Sequence, residues 1–381
     1  MFLYFVFPLF LVIPVGIYMY IIFRRLFTVL WGEVSVSLQR IVSFVLAAAA
    51  AIPVSYIFST WAMIVLHFAA FSLLVDAVRL ILMKTLYRKE GRSPRKIWSI
   101  LYRTGAMAAV LTLAVLGYAY VNMHQVREQE YTVVTDKDIR PEGYTVVFLS
   151  DLHFGTTMDA EDLKGYCSRM EEAEPDLVIL GGDIVDEASS LDEVRQAFGI
   201  LGQMDSTYGV YYVYGNHDKG RYSQSCDFTM EELAQEMEAA GVHILEDDTL
   251  AVNDEVYISG RWDRGDASGI GYTRLSSREL AAAIPQGCFA IMADHQPRAM
   301  EENAAAGYDL MLSGHTHGGQ MWPVGLITEL FDHDTVNYGQ KSFGDMELIV
   351  SSGIAGWGYP LRTGKHSEYV VVHIEPQDKT E

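Results

Sequence analysis

Hydrophobic positions are spread unevenly along this chain of 381 residues. In the first third they form long, nearly uncharged runs, approximately Phe2 to Phe23, Ile41 to Phe58, Trp61 to Met83 and Ile97 to Val121. Each is close to the roughly 20 residues that carry a helix across a bilayer. Residues 1–122 are therefore expected to form an all-α transmembrane region of about four helices, with Ser59 and Thr60 turning the second run tightly into the third. The first run lacks a small-residue cleavage pattern and further spans follow it, so it reads as a retained anchor and not a removed signal peptide. A polar stretch over residues 123–143 reads as a linker, and residues 144–381 as a globular domain.

Within that domain the periodicity alternates. Thr145 to Ser150 is a compact β-rich run, Asp159 to Glu174 has helical spacing, and Asp176 to Leu180 is again strand-like. Ser190 to Met204 is helical and Val210 to Tyr214 strand-like. This β-α-β-α-β order predicts a layered α/β domain with a largely buried sheet.

Charge divides at the same place. Residues 1–122 carry 11 Lys+Arg against 3 Asp+Glu, leaving 17 against 46 for residues 123–381, so the parts stand at +8 and −29 of the overall −21. An acidic domain of this size repels a polyanion, which argues against nucleic acid as a partner. A small or lipid-borne phosphate stays compatible, because bound cations dominate the local field of a site. Arg24, Arg25, Arg40, Lys84, Arg88, Lys89, Arg92, Arg95 and Lys96 cluster at one set of span ends. The positive-inside rule makes those ends cytoplasmic. The chain is then a multi-pass membrane protein with its N-terminus and everything after Val121 extracytoplasmic. Asp76 and Arg79 lie near the end of the third run, where snorkelling toward the basic loop accounts for them. Cys167, Cys226 and Cys288 are too few and too scattered for a disulfide framework or a cysteine zinc site.

Candidate chemistry gathers just beyond the apolar strands. The first runs into Asp151-Leu152-His153, the second into Gly181-Gly182-Asp183 and the third into Gly215-Asn216-His217-Asp218. Later, Cys288 to Met292 leads to Asp294-His295, and Leu310 to Leu312 leads to Gly314-His315-Thr316-His317-Gly318-Gly319-Gln320. Ligand sites of α/β sheets form at such strand ends. If these segments are extended, alternate residues share a face, so Asp151 with His153, and His315 with His317, each aim at one locus. Carboxylate, imidazole and amide oxygen without thiolate suit Mn²⁺, Fe²⁺ or Zn²⁺. The set is too large for one tetrahedral ion. Two ions sharing a carboxylate, roughly 3.5–4 Å apart, clamp a phosphoryl group and lower the pKa of a bridging water.

Through Asp151-x-His153, Gly182-Asp183, Gly215-Asn216-His217-Asp218, His295 and Gly314-His315-x-His317, the sequence resembles the calcineurin-like metallophosphoesterases over about Tyr144 to Ile374. Within them it is similar to the bacterial membrane-associated branch. The resemblance implies a four-layer αββα sandwich and a phosphodiesterase or phosphatase using two divalent ions, with Mn²⁺ favoured. It further implies that Asp151, His153 and His317 hold one ion, that Asn216, His295 and His315 hold the other, and that Asp183 bridges them. His217 would then act outside the metal shell on the transition state or leaving group, oriented by Asp218.

Ile258-Ser259-Gly260-Arg261-Trp262-Asp263 departs from the paired-acid loop expected in that branch, so substrate specificity transfers less well than the metal site. Arg261, Arg264 and Lys219 are candidates for contacting substrate phosphate or carboxylate, with a solvated surface as the plainer role. Asp294 competes with His295 as a ligand. Arg362 and His366 lie near the Gly/aromatic loop Gly353 to Gly358, of a kind that borders clefts. Met321, Trp322, Val324, Leu326 and Ile327 form either an apolar lip that touches membrane or part of the core. The expected partners are a phosphate ester, which includes lipid headgroups, and the bilayer itself. A metal-dependent binding module or sensor is the alternative, and retention of His217 and Asp218 argues against it. Oligomeric state and natural substrate are not legible.

Overall fold

A computed structural model describes residues 2–32, 34–87, 96–223, 225–265 and 271–377. The chain divides into two compact units, Met1–Tyr120 and Val121–Glu381. Arg88, Lys89, Arg92 and Arg95 of the basic loop lie outside the described residues.

The first unit contains α1 (Phe2–Leu30), α2 (Val36–Ala51), α3 (Thr60–Leu82), α4 (Lys96–Arg103) and most of α5 (Ala106–His124). Ser35 and Ser59 cap α2 and α3 by accepting the backbone N–H of Leu38 and Ala62. Small side chains close the packing: Ala47, Ala50 and Ala62 are buried with Met19, Ile22 and Val65. Among the described residues, four helical stretches are long and apolar enough to cross a membrane: Phe10–Leu30, Val36–Ser55, Thr60–Thr85 and Ala106–His124.

Two details differ from the sequence reading. The run Ile97 to Val121 is broken, because α4 ends at Arg103 and the chain turns through Gly105 at φ 73° before α5 begins. Asp76 does not depend on the basic loop. Its carboxylate takes both guanidinium nitrogens of Arg25, at 2.7 and 2.8 Å, and the Tyr18 hydroxyl at 2.9 Å.

In the second unit the strands are β1 (Arg127–Thr135), β2 (Tyr144–Leu149), β3 (Leu177–Leu180), β4 (Val210–Val213), β5 (His243–Leu245) and β6 (Asp248–Ala251). They continue with β7 (Val256–Gly260), β8 (Phe289–Ala293), β9 (Leu310–Ser313), β10 (Gly339–Phe343), β11 (Met346–Val350) and β12 (Glu368–Pro376). Two six-stranded sheets result, ordered β1-β12-β2-β3-β4-β5 and β10-β11-β9-β8-β7-β6. Strands β2, β3, β4 and β5 are parallel neighbours, as are β7, β8, β9 and β11.

Alternation along each strand builds the layers. Val146 and Phe148 of β2, Leu177 and Ile179 of β3, and Phe289 and Ile291 of β8 share one core between the sheets. The opposite faces, Val147, Leu149, Val178 and Leu180, pack under helices α6 (Ala160–Glu171), α7 (Leu191–Leu201) and α8 (Met230–Ala239). Ala290, Met292 and Met311 pack outward with α9 (Ser277–Ala281) and α10 (Met300–Ala306). Burial on both faces explains why these strands read as continuous apolar runs. The architecture is an α/β sandwich of helices, sheet, sheet and helices.

Residues 123–143, read as a linker, contain β1, which pairs in parallel with β12 from Arg127↔Glu368 to Thr135↔Pro376. It is an edge strand, and its exposed Arg127, Glu128 and Val134 give it the mixed polar character that hid it.

Candidate metal centre

The parallel strands end together, and their carboxyl ends deliver the candidate ligands. The chain does not stay extended there. Asp151, His153, Asp183, His315 and His317 all take left-handed backbone, at φ 55°, 41°, 52°, 70° and 50°. Such conformations persist only where the surroundings enforce them, and they concentrate at functional sites. Consequently, the shared face expected for His315 and His317 is not formed. His317 joins Asp151 and His153, whereas His315 joins Asp183 and His295, with the ligand atoms of each trio within 4.8 Å of one another.

Asp183 connects the two trios. Its Oδ2 lies 3.1 Å from Nε2 of His295 and 3.8 Å from Nε2 of His153. Two glycines make this approach possible: a Cβ on Gly215 would stand 2.1 Å from Asp183 Oδ1, and one on Gly314 would stand 2.3 Å from Asp151 Oδ2.

Several of these side chains are aimed by a second layer of bonds. His295 places Nδ1 2.8 Å from the Gly181 carbonyl, which leaves its Nε2 facing inward; His153 Nδ1 lies 3.3 Å from Asp186 Oδ2, within ion-pair distance but without a formed hydrogen bond. Asp151 accepts the His315 backbone N–H at 3.0 Å and the Ser150 hydroxyl at 2.6 Å. Asp294 does not compete with His295, because Arg274 takes its carboxylate at 2.5 Å.

The donors fit a cation. Among the described residues, His153 Nε2, His295 Nε2, His317 Nδ1 and Asn216 Oδ1 are buried side-chain atoms without a hydrogen-bond partner. Leaving them so costs about 1–3 kcal/mol each, a cost that coordination removes. Burial pushes the His315 and His317 imidazoles down to about 4 and about 3, so both are neutral with a lone pair to offer. Burial alone would raise the Asp183 carboxyl, but the imidazoles of His295 and His217 hold it well below the usual range. The two groups imply divalent metal ions.

His217 stands beside this set with its ring 5.3 Å from that of His153, walled by Trp357 at 5.1 Å and Tyr222 at 4.9 Å. Its Nδ1 is 2.9 Å from Glu187 Oε2. Burial opposes its protonation, yet Asp183 and Glu187 outweigh that and raise its pKa to about 9.

Asp218 differs from the expected orienter of His217. Its buried carboxylate accepts four backbone N–H groups, from Asp183 at 2.7 Å, Ile184 at 2.8 Å, Val185 at 3.1 Å and Gly215 at 2.6 Å. It ties the loop after β3 to the loop after β4, and the carboxylate at His217 Nδ1 is that of Glu187. Sequence reading missed Asp186 and Glu187; the acid-rich run Asp183-Ile184-Val185-Asp186-Glu187 was their only sign.

The basic candidates have these surroundings. Arg261 is buried and donates to the Leu275 carbonyl at 2.8 Å, Lys219 pairs with Glu246 between the rings of Tyr214 and Trp262, and Arg264 is exposed. Asp263, from the departing loop, is buried and accepts the Gln296 amide at 2.8 Å. Arg362 is fully buried and donates to the carbonyls of His317, Ser352, His366 and Ala355. It clamps the Gly/aromatic loop to a candidate ligand, while His366 lies at the exposed side near Arg127.

The calcineurin-like phosphoesterase family profile matches residues 144–319. An uncharacterized metallophosphoesterase of Campylobacter jejuni is 26% identical over 332 residues, covering 84% of this chain and 83% of that protein. A transmembrane protein with metallophosphoesterase domain from Bos taurus is 30% identical over 243 residues, 58% of this chain and 51% of that protein. A phosphodiesterase of Escherichia coli is 26% identical over 235 residues, 61% of this chain and 82% of that protein.

Proposed function

The chain belongs to the calcineurin-like phosphoesterases through residues 144–319, and from that premise we propose that it is a membrane-anchored phosphoesterase working with two divalent ions. That it is a membrane protein follows from its four apolar helices and from its transmembrane relatives. In our reading all four helices span the bilayer, and the basic residues at one set of ends place the catalytic domain on the extracytoplasmic face.

The observation that carries the two-ion reading is the position of Asp183 Oδ2 between the Nε2 atoms of His295 and His153. Asp151, His153 and His317 would hold one ion, Asn216, His295 and His315 the other, with Asp183 shared. When bound, the ions supply Lewis acidity toward the phosphoryl oxygens and an activated water; this oxygen and imidazole set without thiolate suits Mn²⁺, Fe²⁺ or Zn²⁺, and Mn²⁺ is the ion taken for the test.

The remaining chemistry belongs to the chain. His217, with Nδ1 held on Glu187, carries a proton on Nε2 for the leaving alkoxide, and that proton is replaced from solvent after product leaves. Trp357 and Tyr222 shield this imidazole from bulk water. Asp218 keeps the two ligand-bearing loops in register, which preserves the position of Asp183. A relative named as a phosphodiesterase makes diesters the first class to try.

The test is hydrolysis by the metal-stripped full chain in detergent, with bis-p-nitrophenyl phosphate and p-nitrophenyl phosphate offered in turn as Mn²⁺ is returned. Mn²⁺-dependent release of nitrophenol that Asp183→Asn abolishes is the expected result. No hydrolysis of either ester by chain that has taken up Mn²⁺ would count against the enzyme reading.

A further inference from the structure

One helix of the second unit breaks its burial logic. Helix α11 (Val324–Phe331) has no buried residue. Val324, Leu326, Ile327, Leu330 and Phe331 are exposed, Phe331 at 81%, and Trp322 just before them is exposed at 69%. Its single charged side chain is Glu329. Apolar surface held in water forgoes about 25 cal/mol per Å², and contiguous patches of this kind mark interaction surfaces. Of the five residues read as lip or core, only Met321 is buried.

What covers the patch follows from where it is attached. The last turn of α5, the end of the fourth apolar helix, is built into this unit. Asn122 Nδ2 donates to the carbonyls of Arg362 at 3.1 Å and Lys365 at 2.9 Å, and Ser367 Oγ donates to the Met123 carbonyl at 2.7 Å. The same short segment holds the start of the exposed helix, because Trp322 N donates to Thr363 Oγ1 at 2.9 Å. The apolar patch therefore begins at the loop that receives the end of a membrane helix.

The patch is also fixed in place. A Cβ on Gly319 would meet the Gly325 backbone nitrogen at 2.2 Å, so the first turn of α11 lies directly on the segment two residues beyond His317. At the other end Arg298 holds Asp332 at 2.6 Å.

We propose that α11, together with Trp322, seats in the lipid bilayer on the side where α5 leaves it. A short apolar helix preceded by Trp is suited to the boundary between headgroups and acyl chains. The acidic domain gains nothing there from anionic lipid, so apolar burial is the attraction. Resting on the phosphoesterase reading, the consequence is that the centre stands at headgroup level and takes esters carried by lipids.

The docking is tested on the full chain with Cys226 and Cys288 replaced by serine and the buried Cys167 kept. Spin labels are placed singly at Ile327→Cys, Leu330→Cys and Phe331→Cys, with Asp192→Cys on α7 as an exposed reference, in phosphatidylcholine/phosphatidylglycerol vesicles. Labels on α11 are expected to collide at least tenfold more with oxygen, relative to a water-soluble nickel chelate, than the reference does. Equal access of the chelate to α11 and reference overturns the proposal. Shielding of α11 from both reagents also overturns it, since a second copy of the chain then covers the patch. Collision rates need no turnover, so failure here is distinct from failure of the phosphoesterase reading.

Discussion

Nδ1 of His217 lies 2.9 Å from Oε2 of Glu187, a pairing that joins the residue after Asn216 to the loop after β3. Burial opposes protonation of the imidazole, but Asp183 and then Glu187 raise it to about 9, above its ordinary value. An acid with a raised pKa is effective below that value and loses its proton as pH climbs through it. Glu187→Gln removes one raising partner, and the alkaline limb of kcat against pH is expected to move toward neutrality. His217→Ala is expected to lower kcat by about 10²–10⁴ with bound metal unchanged. An alkaline limb indifferent to Glu187→Gln would remove Glu187 from this role.

Asp218→Asn is expected to act differently. The amide would turn its own N–H groups on backbone donors that now share a buried carboxylate, at a cost on the order of 3 kcal/mol. Thermal unfolding should drop while the alkaline limb stays in place. A displaced limb with unchanged stability would restore Asp218 as the orienter of His217.

Much of this was legible in the sequence for physical reasons. Strands β2, β3, β4, β8 and β9 are buried on both faces and so read as apolar runs, and the ligands follow them directly. What stayed hidden depended on backbone turns and partners. The division of His315 and His317 between two trios needs left-handed residues that no periodicity encodes. Strand β1 was masked by an edge strand's polar exposure, and Glu187 reaches His217 across 30 positions of sequence. The fourth apolar run concealed its break at Gly105 because Ile97, Trp98, Ile100 and Leu101 before it and Met107, Val110 and Leu111 after it read as one stretch of apolar positions.

Gly314→Ala tests the close approach of strand end and ligand. The new Cβ would sit 2.3 Å from both Asp151 Oδ2 and Ser150 Oγ, so Asp151 must move. Overpacking of this kind costs about 1–3 kcal/mol. Calorimetric Mn²⁺ titration should show at least tenfold weaker binding of one ion, and unaltered binding of both would show that Asp151 is not a ligand.

Arg362→Met leaves the carbonyls of His317, Ser352, Ala355 and His366 without their shared donor. Each buried carbonyl left unpaired costs about 1–3 kcal/mol. The variant should unfold at lower temperature and bind metal more weakly, with added Mn²⁺ restoring part of the loss because the ion binds only the folded state. A variant as stable as the native chain would place the clamp elsewhere.

An Asp183 carboxylate shared by two ions is read most directly by counting metal. Full chain stripped of metal is equilibrated with Mn²⁺, freed of excess ion, and assayed by plasma emission for manganese per chain, in parallel with Asp183→Asn. Two ions per native chain, falling to one or none in Asp183→Asn, is the expected result. A native chain that saturates with one ion, or an Asp183→Asn variant that still holds two, would show that Asp183 is not shared between two ions.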